Sequence, residues 1–280
     1  YLAPFGRAEH VRQAVVSGYV RPGEDLRTHE PLAPGSFTAE KLSGEQLVAF
    51  IQNHDQVANA SAGRRLVKVA GAAGARAAAA LLLTAPSLPL LFMGEEYGEM
   101  NSFLFFVDFP DPGLSRAVRE GRAREMTGLG VQSFDEAMRD DPTDPRTYER
   151  SRLSWGLKEP EHAAMLRLYR DLLALRRATP ALACSRKDLA RALADDARRT
   201  LSFTRETTGA PQALVGANLG TTENPVPLPA GDRIWRRVLF TDDKQYGGSA
   251  APPPERLAPG EPLVLSPRSA AIYLEIANCG

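Results

Sequence analysis

The sequence predicts an α/β unit followed by a small antiparallel β domain, and three observations predict it. Two short, continuous apolar runs each end in a polar tip, with a strongly helix-forming segment between them. A helix of three-four apolar spacing closes that unit at a proline, and beyond it the texture changes to evenly spaced short strand-like runs.

Residues Ala8 to Gly18 read as a helix with Val11, Ala14 and Val15 on one face and Gly18 as its stop. The stretch from Arg21 to Ala39, rich in Pro, Gly and charge, reads as a loop. Leu47 to Ile51 is the first apolar run, the pattern of a strand buried on both faces, and it ends in Gln52-Asn53-His54-Asp55. Val67 to Thr84 is rich in Ala and Leu and should be helical until Ala85-Pro86, because a residue before proline is pushed out of the α region. The second run, Leu88 to Met93, meets Gly94-Glu95-Glu96-Tyr97. Strand, polar tip, helix, strand, polar tip is the βαβ pattern, and parallel strands carry their chemistry at such C-terminal tips.

From about residue 100 to 158 the chain is irregular and should hold short helices such as Leu114 to Arg124. Glu161 to Arg177 places Met165, Leu168, Leu172 and Leu175 on one helical face and ends at Thr179-Pro180. Strand-like runs follow at Thr200–Thr204, Gln212–Leu219, Ile234–Phe240, Leu263–Leu265 and Ala270–Ile276, the spacing of a small sandwich. The expected division is 1–182 for the α/β part and 183–280 for the all-β part.

Composition narrows the function classes. Basic and acidic residues number 34 each, so no net field draws the chain to nucleic acid or an anionic membrane. The longest apolar candidate, Ala77 to Leu83, falls short of a bilayer span, and no membrane partner is expected. The chain opens on Tyr1 without a signal-like stretch, which reads as an internal start. Cys184 and Cys279 lie far apart in no metal spacing, the reading of two incidental thiols in a reduced, cytoplasmic protein; a disulfide between them stays open.

Phe50-Ile51-Gln52-Asn53-His54-Asp55-Gln56 resembles the region that ends the seventh barrel strand in the α-amylase superfamily, and Leu91 to Gly98 follows one helix later, as the eighth strand does there. Further strings resemble one family within it, the malto-oligosyltrehalose trehalohydrolases: Phe103 to Asp108, Ala117 to Arg122, Asp144 to Leu153, and Trp155. Ala58, Asn59, Ala60 and Asn101-Ser102 depart from that family's pattern. The resemblance covers about Gly6 to Pro180 and implies the C-terminal portion of a (β/α)8 barrel followed by the small β-sandwich domain. It implies hydrolysis of the α-1,4 bond next to the terminal trehalose of maltooligosyl-trehalose, with no cofactor and no metal. The partners expected are that substrate or another α-glucan and the missing N-terminal part of the same enzyme.

Retaining glycosidases work with two carboxyl groups about 5 Å apart. In this superfamily they come from the fourth and fifth strands. At roughly 30 residues per βα unit, the 46 residues before Leu47 leave no room for those strands. The nucleophile and acid/base therefore fall outside the chain, which is expected to be inactive alone. By resemblance Asp55 is the third carboxylate, the transition-state stabiliser that accepts hydrogen bonds from sugar hydroxyls, and His54 bonds the same ring. Asn53, Gln56, Glu95, Glu96, Tyr97 and Asp108 are the further substrate-binding candidates. Each has a plainer reading: an Asp beyond a strand caps a loop, paired Glu residues cap a helix or solvate a turn, and clustered Phe103, Phe105 and Phe106 form core. Arg119, Glu120 and Arg122 read as a structural ion network and Trp155 as packing. A glycogen branching or debranching enzyme of the same superfamily, and a non-catalytic glucan-binding fragment, are the alternative functions.

Overall fold

The computed structural model describes residues 6–20, 42–59, 61–128 and 140–276. The expected loop from Arg21 to Ala39, Ala60 and Cys279 lie outside them. Helix α1 (Ala8–Ser17) ends at Gly18, whose φ of 97° is a left-handed conformation that glycine reaches without a Cβ clash. Strand β1 (Val48–Ala49), helix α2 (His54–Asn59), helix α3 (Leu66–Thr84) and strand β2 (Leu88–Pro89) follow. β1 and β2 pair in parallel, Val48 opposite Leu88, and Leu88 and Leu90 donate backbone bonds to Leu47 and Ala49 across the pair.

These strands are not buried on both faces as their apolar runs suggested. Val48 is 59% exposed, and Phe50, Leu88 and Leu90 also face outward. The physical reason is the size of the sheet: two short strands leave both outer edges and both faces without strands to cover them.

α3 is better covered. It kinks at Gly71, where φ is 73°, and Ala75 to Ala77 and Ala79 to Thr84 are buried. The helix is long and apolar enough to cross a membrane by length and composition, contrary to the expectation that no segment reached that length. In this fold, however, it packs against helix and sheet. Its last carbonyls, orphaned by the helix end, are gathered by two arginines. Arg176 donates to Leu83, Ala85 and Ser87, and Arg205 donates to Thr84 and Cys184. Burial pulls the Arg205 guanidinium down to about 10, helped by the nearby charge of Arg176.

Helix α4 (Pro112–Gly128) runs longer than the short helix expected there. Helix α5 (Pro145–Arg150) is capped by the Asp144 side chain, which accepts from the Arg146 N–H at 2.9 Å. α6 (Pro160–Ala178) buries Met165, Leu168 and Leu172 as its spacing predicts, and α7 (Pro180–Ala183) adds one turn after the Thr179-Pro180 break.

The remaining strands are β3 (Ala190–Asp195), β4 (Thr200–Arg205), β5 (Ala213–Asn218), β6 (Asn224–Val226), β7 (Ile234–Phe240), β8 (Arg256–Leu257), β9 (Leu263–Leu265) and β10 (Ser269–Ile276). Six form one antiparallel sheet in the order β3-β4-β5-β10-β7-β8, and β6 and β9 pair separately. The sheet is covered differently on its two faces. Leu201, Phe203, Val215, Ala217 and Ile272 join the buried side chains of α1, α3 and α6 in one core. Leu214, Ala271 and Tyr273 pack with Val226, Leu263 and Leu265 of the small pair in another. Helices therefore fill one face where a second full sheet was expected. This explains why β4 alternates: Leu201 and Phe203 face the helices, while Thr200 and Ser202 turn their hydroxyls to the carbonyls of Pro225 and Pro227.

An ion pair stitches α3 to this sheet. Arg76 Nη2 lies 2.6 Å from Asp242 Oδ1 with both side chains almost wholly buried, and Arg76 Nε donates to the Thr241 carbonyl.

Candidate functional site

The first polar tip is built on β1 and handed to α2 and α3. Gln52 is buried, and its Oε1 accepts from the Leu66 N–H at 2.9 Å, which fixes the loop to the first turn of α3. Asn53 Oδ1 accepts from the Gln56 N–H at 2.8 Å and caps α2. The capping role weighed for Asp55 thus falls to Asn53, and Asn53 is committed to structure. His54 and Asp55 take no part in that cap. Their side chains are 69% and 68% exposed and lie 3.4 Å apart, and Gln56 is half-buried beside them. The His54 and Asp55 side chains are open to solvent there.

At the second tip the chain passes Gly94, a left-handed glycine with φ of 88°, into a 3-10 turn, Glu95–Tyr97. Glu95 and Tyr97 do not face outward as substrate contacts would. Glu95 is 5% exposed. Its Oε1 accepts from the Tyr169 hydroxyl of α6 at 3.3 Å, and Oε2 has no hydrogen-bond partner. Burial, with a smaller push from Glu96, raises the Glu95 carboxyl to about 7, against the hydrogen bonds that favour its charge. The Tyr97 ring is enclosed between Trp155 and His162, and its hydroxyl donates to Glu99. The reason both turn inward is that α6 packs directly on this turn and needs its apolar and hydrogen-bonding surface. Glu96 stays half-buried at the tip, and Asp108 is exposed ahead of α4.

Two residues central to this tip gave no readable signal in the sequence. Buried Glu99 accepts from the Tyr97 hydroxyl, the Asn101 and Ser154 N–H groups and the Ser154 hydroxyl. Burial works to raise its carboxyl, and these bonds outweigh it and hold the carboxyl below its ordinary value. Arg65, also buried, donates to the carbonyls of Asn101 and Met93 and lies over the Phe92 ring. An Arg in a loop and a third Glu beside a Glu pair look like solvated surface until the fold closes over them.

The aromatic residues divide. Phe92, Phe103, Phe106 and Tyr148 form an edge-to-face chain with centroids 5.2 to 5.9 Å apart, of which Phe106 and Tyr148 are exposed. Trp155 is not packing in the sense expected: it is 66% exposed and carries a positive φ of 54° while stacking on Tyr97. Arg122 ties α4 to the end of α2 through the Ala58 carbonyl and the Asn59 side chain and pairs with Glu125, and Arg119 pairs with Asp141, so two of the three residues read as an ion network, Arg119 and Arg122, take part in ion pairs, while Glu120 is exposed.

Glu95 makes the stability of this region depend on pH. Its carboxyl titrates near 7 in the fold and near 4.5 unfolded, so the native chain binds the extra proton between those values. Its contribution is fully present below pH 4.5 and is lost as pH rises through 7. A shift of this size corresponds to roughly 3 kcal/mol. Urea unfolding of wild type and Glu95→Gln from pH 4.5 to 8 should show the wild type losing about that much relative to the variant. Parallel pH profiles would contradict it.

No group of three or more His, Cys, Asp or Glu able to hold a metal occurs among the described residues.

No protein-family model matches the chain. A crystal structure from Salmonella typhimurium, provisionally named alpha amylase, superposes on 95% of the chain with a TM-score of 0.73 and 31% identity, using 41% of its own length. The trehalulose synthase MutB of Pseudomonas mesoacidophila shares the fold, at a TM-score of 0.53 and 21% identity over 82% of this chain and 43% of its own. The chain is an α-amylase-superfamily protein. Within that class its curated relatives are malto-oligosyltrehalose trehalohydrolases. That of Arthrobacter ramosus is 41% identical over 64% of this chain and 30% of its own length. The Deinococcus radiodurans protein is 39% identical over 90% and 42%, and the Mycobacterium tuberculosis protein 31% identical over 87% and 41%. The chain spans less than half the length of each.

Proposed function

We propose that this chain is the C-terminal portion of a (β/α)8 barrel with its appended β domain, from a retaining glycoside hydrolase. The whole enzyme cleaves the α-1,4 bond next to the terminal trehalose of maltooligosyl-trehalose and releases trehalose, and its place is the cytoplasm. Support comes first from one observation: a parallel β1-α3-β2 unit carries His54 and Asp55, side by side and exposed, at a strand tip. A carboxylate with free lone pairs can accept from vicinal sugar hydroxyls and offset the positive charge that builds on the ring as the bond breaks. On this reading His54, Gln56 and Glu96 bond the same or a neighbouring ring. Asp108 and the exposed rings of Phe106 and Trp155 offer further contacts, because aromatic faces suit the apolar faces of pyranoses.

On this reading the nucleophile and the acid/base belong to the strands that complete the barrel, and with them comes the enclosure that the open tip lacks. The test is trehalose release from maltooligosyl-trehalose by the 280-residue chain alone. The expected result is no turnover. Measurable release would refute the placement of the chemical pair outside it.

A further inference from the structure

A cavity of about 610 Å³ opens at one end of the six-stranded sheet, and the residues that line it all lie between Arg191 and Pro262, beyond α7. It follows from a mismatch of strand lengths. On the face turned away from the helices, β6 and β9 have three residues each, against six to eight in β4, β5, β7 and β10. This short pair covers part of the face with Val226, Leu263 and Leu265. Where it stops, Thr204 at the end of β4, Gln212 before β5, Trp235 on β7 and Leu257 on β8 line the cavity. Two connections wall it. After β6 the chain runs Val226-Pro227-Leu228-Pro229, and Ser202 donates to the Pro227 carbonyl. Between β8 and β9, the Glu261 N–H closes a turn on the Ala258 carbonyl at 3.1 Å, and the Glu261 carboxylate accepts from the Ala258 N–H. Pro259 followed by Gly260 at a φ of 79° suits a type II turn. Prolines and a doubly closed turn are rigid, so the cleft is formed before a ligand enters it, and its volume falls in the range of small-molecule sites.

We propose that this cleft binds a short segment of α-glucan, as a second site built wholly from the β strands and their loops. The choice of sugar rests on the functional reading above; the cleft itself does not. Its lining suits a neutral polyhydroxyl ligand. Arg191 and Arg233 are balanced by Glu206 and Glu261, so no net field favours an anion or a cation. Carboxylates accept, guanidiniums donate and the Gln212 amide does both, which is the mixture that a ring of hydroxyls can use. The two guanidiniums are steadied from behind. Arg191 donates to the Asp188 and Ala190 carbonyls, and Arg233 pairs with Glu275 at 3.1 Å. Leu228, Trp235 and Leu257 add apolar surface beside these groups, and the hydrogen-bearing faces of pyranoses pack well on such surface.

The experiment is two-dimensional amide NMR on the 280-residue chain, titrated with maltotetraose and, separately, with inorganic phosphate. Maltotetraose should give saturable shifts, with a Kd in the millimolar range, at the Trp235 indole N–H, the Gln212 side-chain amide and the Gly260 N–H. Ala230 is an exposed residue of the wall, and Ala230→Trp should fill the cleft and weaken binding at least about tenfold. If that variant fails to fold, Glu206→Ala carries the test with the same expected direction, because it removes an acceptor from the lining. Phosphate should leave the three groups unmoved. The proposal is overturned if maltotetraose gives no saturable shift at these groups, as when shifts are confined to Asn53–Gln56. Shifts undiminished in the folded variant, or produced equally by phosphate, overturn it too. Binding here needs no turnover, so its failure and a failure of trehalose release are separate results.

Discussion

Replacing Arg76 with alanine is expected to destabilise the chain by about 3–5 kcal/mol, the usual cost of removing one partner from a buried ion pair. Asp242 would then be left as a charge next to the end of β7 with the guanidinium gone, and the Thr241 carbonyl would lose its donor. The guanidinium also reaches the Gly247 carbonyl at 3.5 Å, so three sites on one side of the sheet are fastened to α3 by one residue. A fall in Tm of roughly 10 °C is the matching thermal signature for a chain of this size. The double variant Arg76→Met, Asp242→Leu should recover much of the loss, because it removes both charges together instead of stranding one. A single variant that loses less than about 1 kcal/mol, the range of an exposed pair, would show that the helix and the sheet are not joined in the way described.

That junction also shows where sequence reading succeeded and where it stopped. The parallel pair was legible because two apolar runs flanked one helix-forming segment, and Ala85-Pro86 marked the end of that segment. The helix over Pro160–Ala178 was legible from four apolar residues at three-four spacing. β3 was missed because Ala-Arg-Ala-Leu-Ala-Asp has none of the β-branched or aromatic residues that mark a strand, and an edge strand against α1 does not require them. The exposure of Val48 was missed because an apolar run reports what the chain would bury given neighbours, not whether those neighbours are present. At the site, Asn53, His54, Asp55 and Gln56 were found together at one tip as a contiguous string must be. Glu95 and Tyr97 were aimed outward by their place beyond a strand, yet α6 packs over them and turns them in. Gln52, Arg65 and Glu99 are tertiary residues: each has a partner far along the chain, 14, 28 and 55 positions away, that no local pattern announces.

The second large effect is expected at Asp55. Asparagine keeps the size of the side chain, but it removes the negative charge and replaces one acceptor oxygen with a donor. If Asp55 meets the sugar as the bond breaks, the loss falls on the transition state more than on the bound substrate. The expected cost is about 3 kcal/mol, on the order of 10² in kcat with a smaller change in KM. Stability should scarcely change, within about 0.5 kcal/mol, because the side chain is exposed and its ion-pair partner among the described residues is the equally exposed His54. That separation between activity and folding is what distinguishes a catalytic carboxylate from a loop cap, whose loss would destabilise.

The deciding measurement is the initial rate of trehalose release from maltooligosyl-trehalose by an enzyme made whole, in which this chain is joined to the preceding part of the Deinococcus radiodurans relative, compared with the same chimera carrying Asp55→Asn. The account predicts release by the first and a rate roughly a hundredfold lower in the second at an unchanged Tm. Equal rates in an active pair would contradict it, whatever the fold.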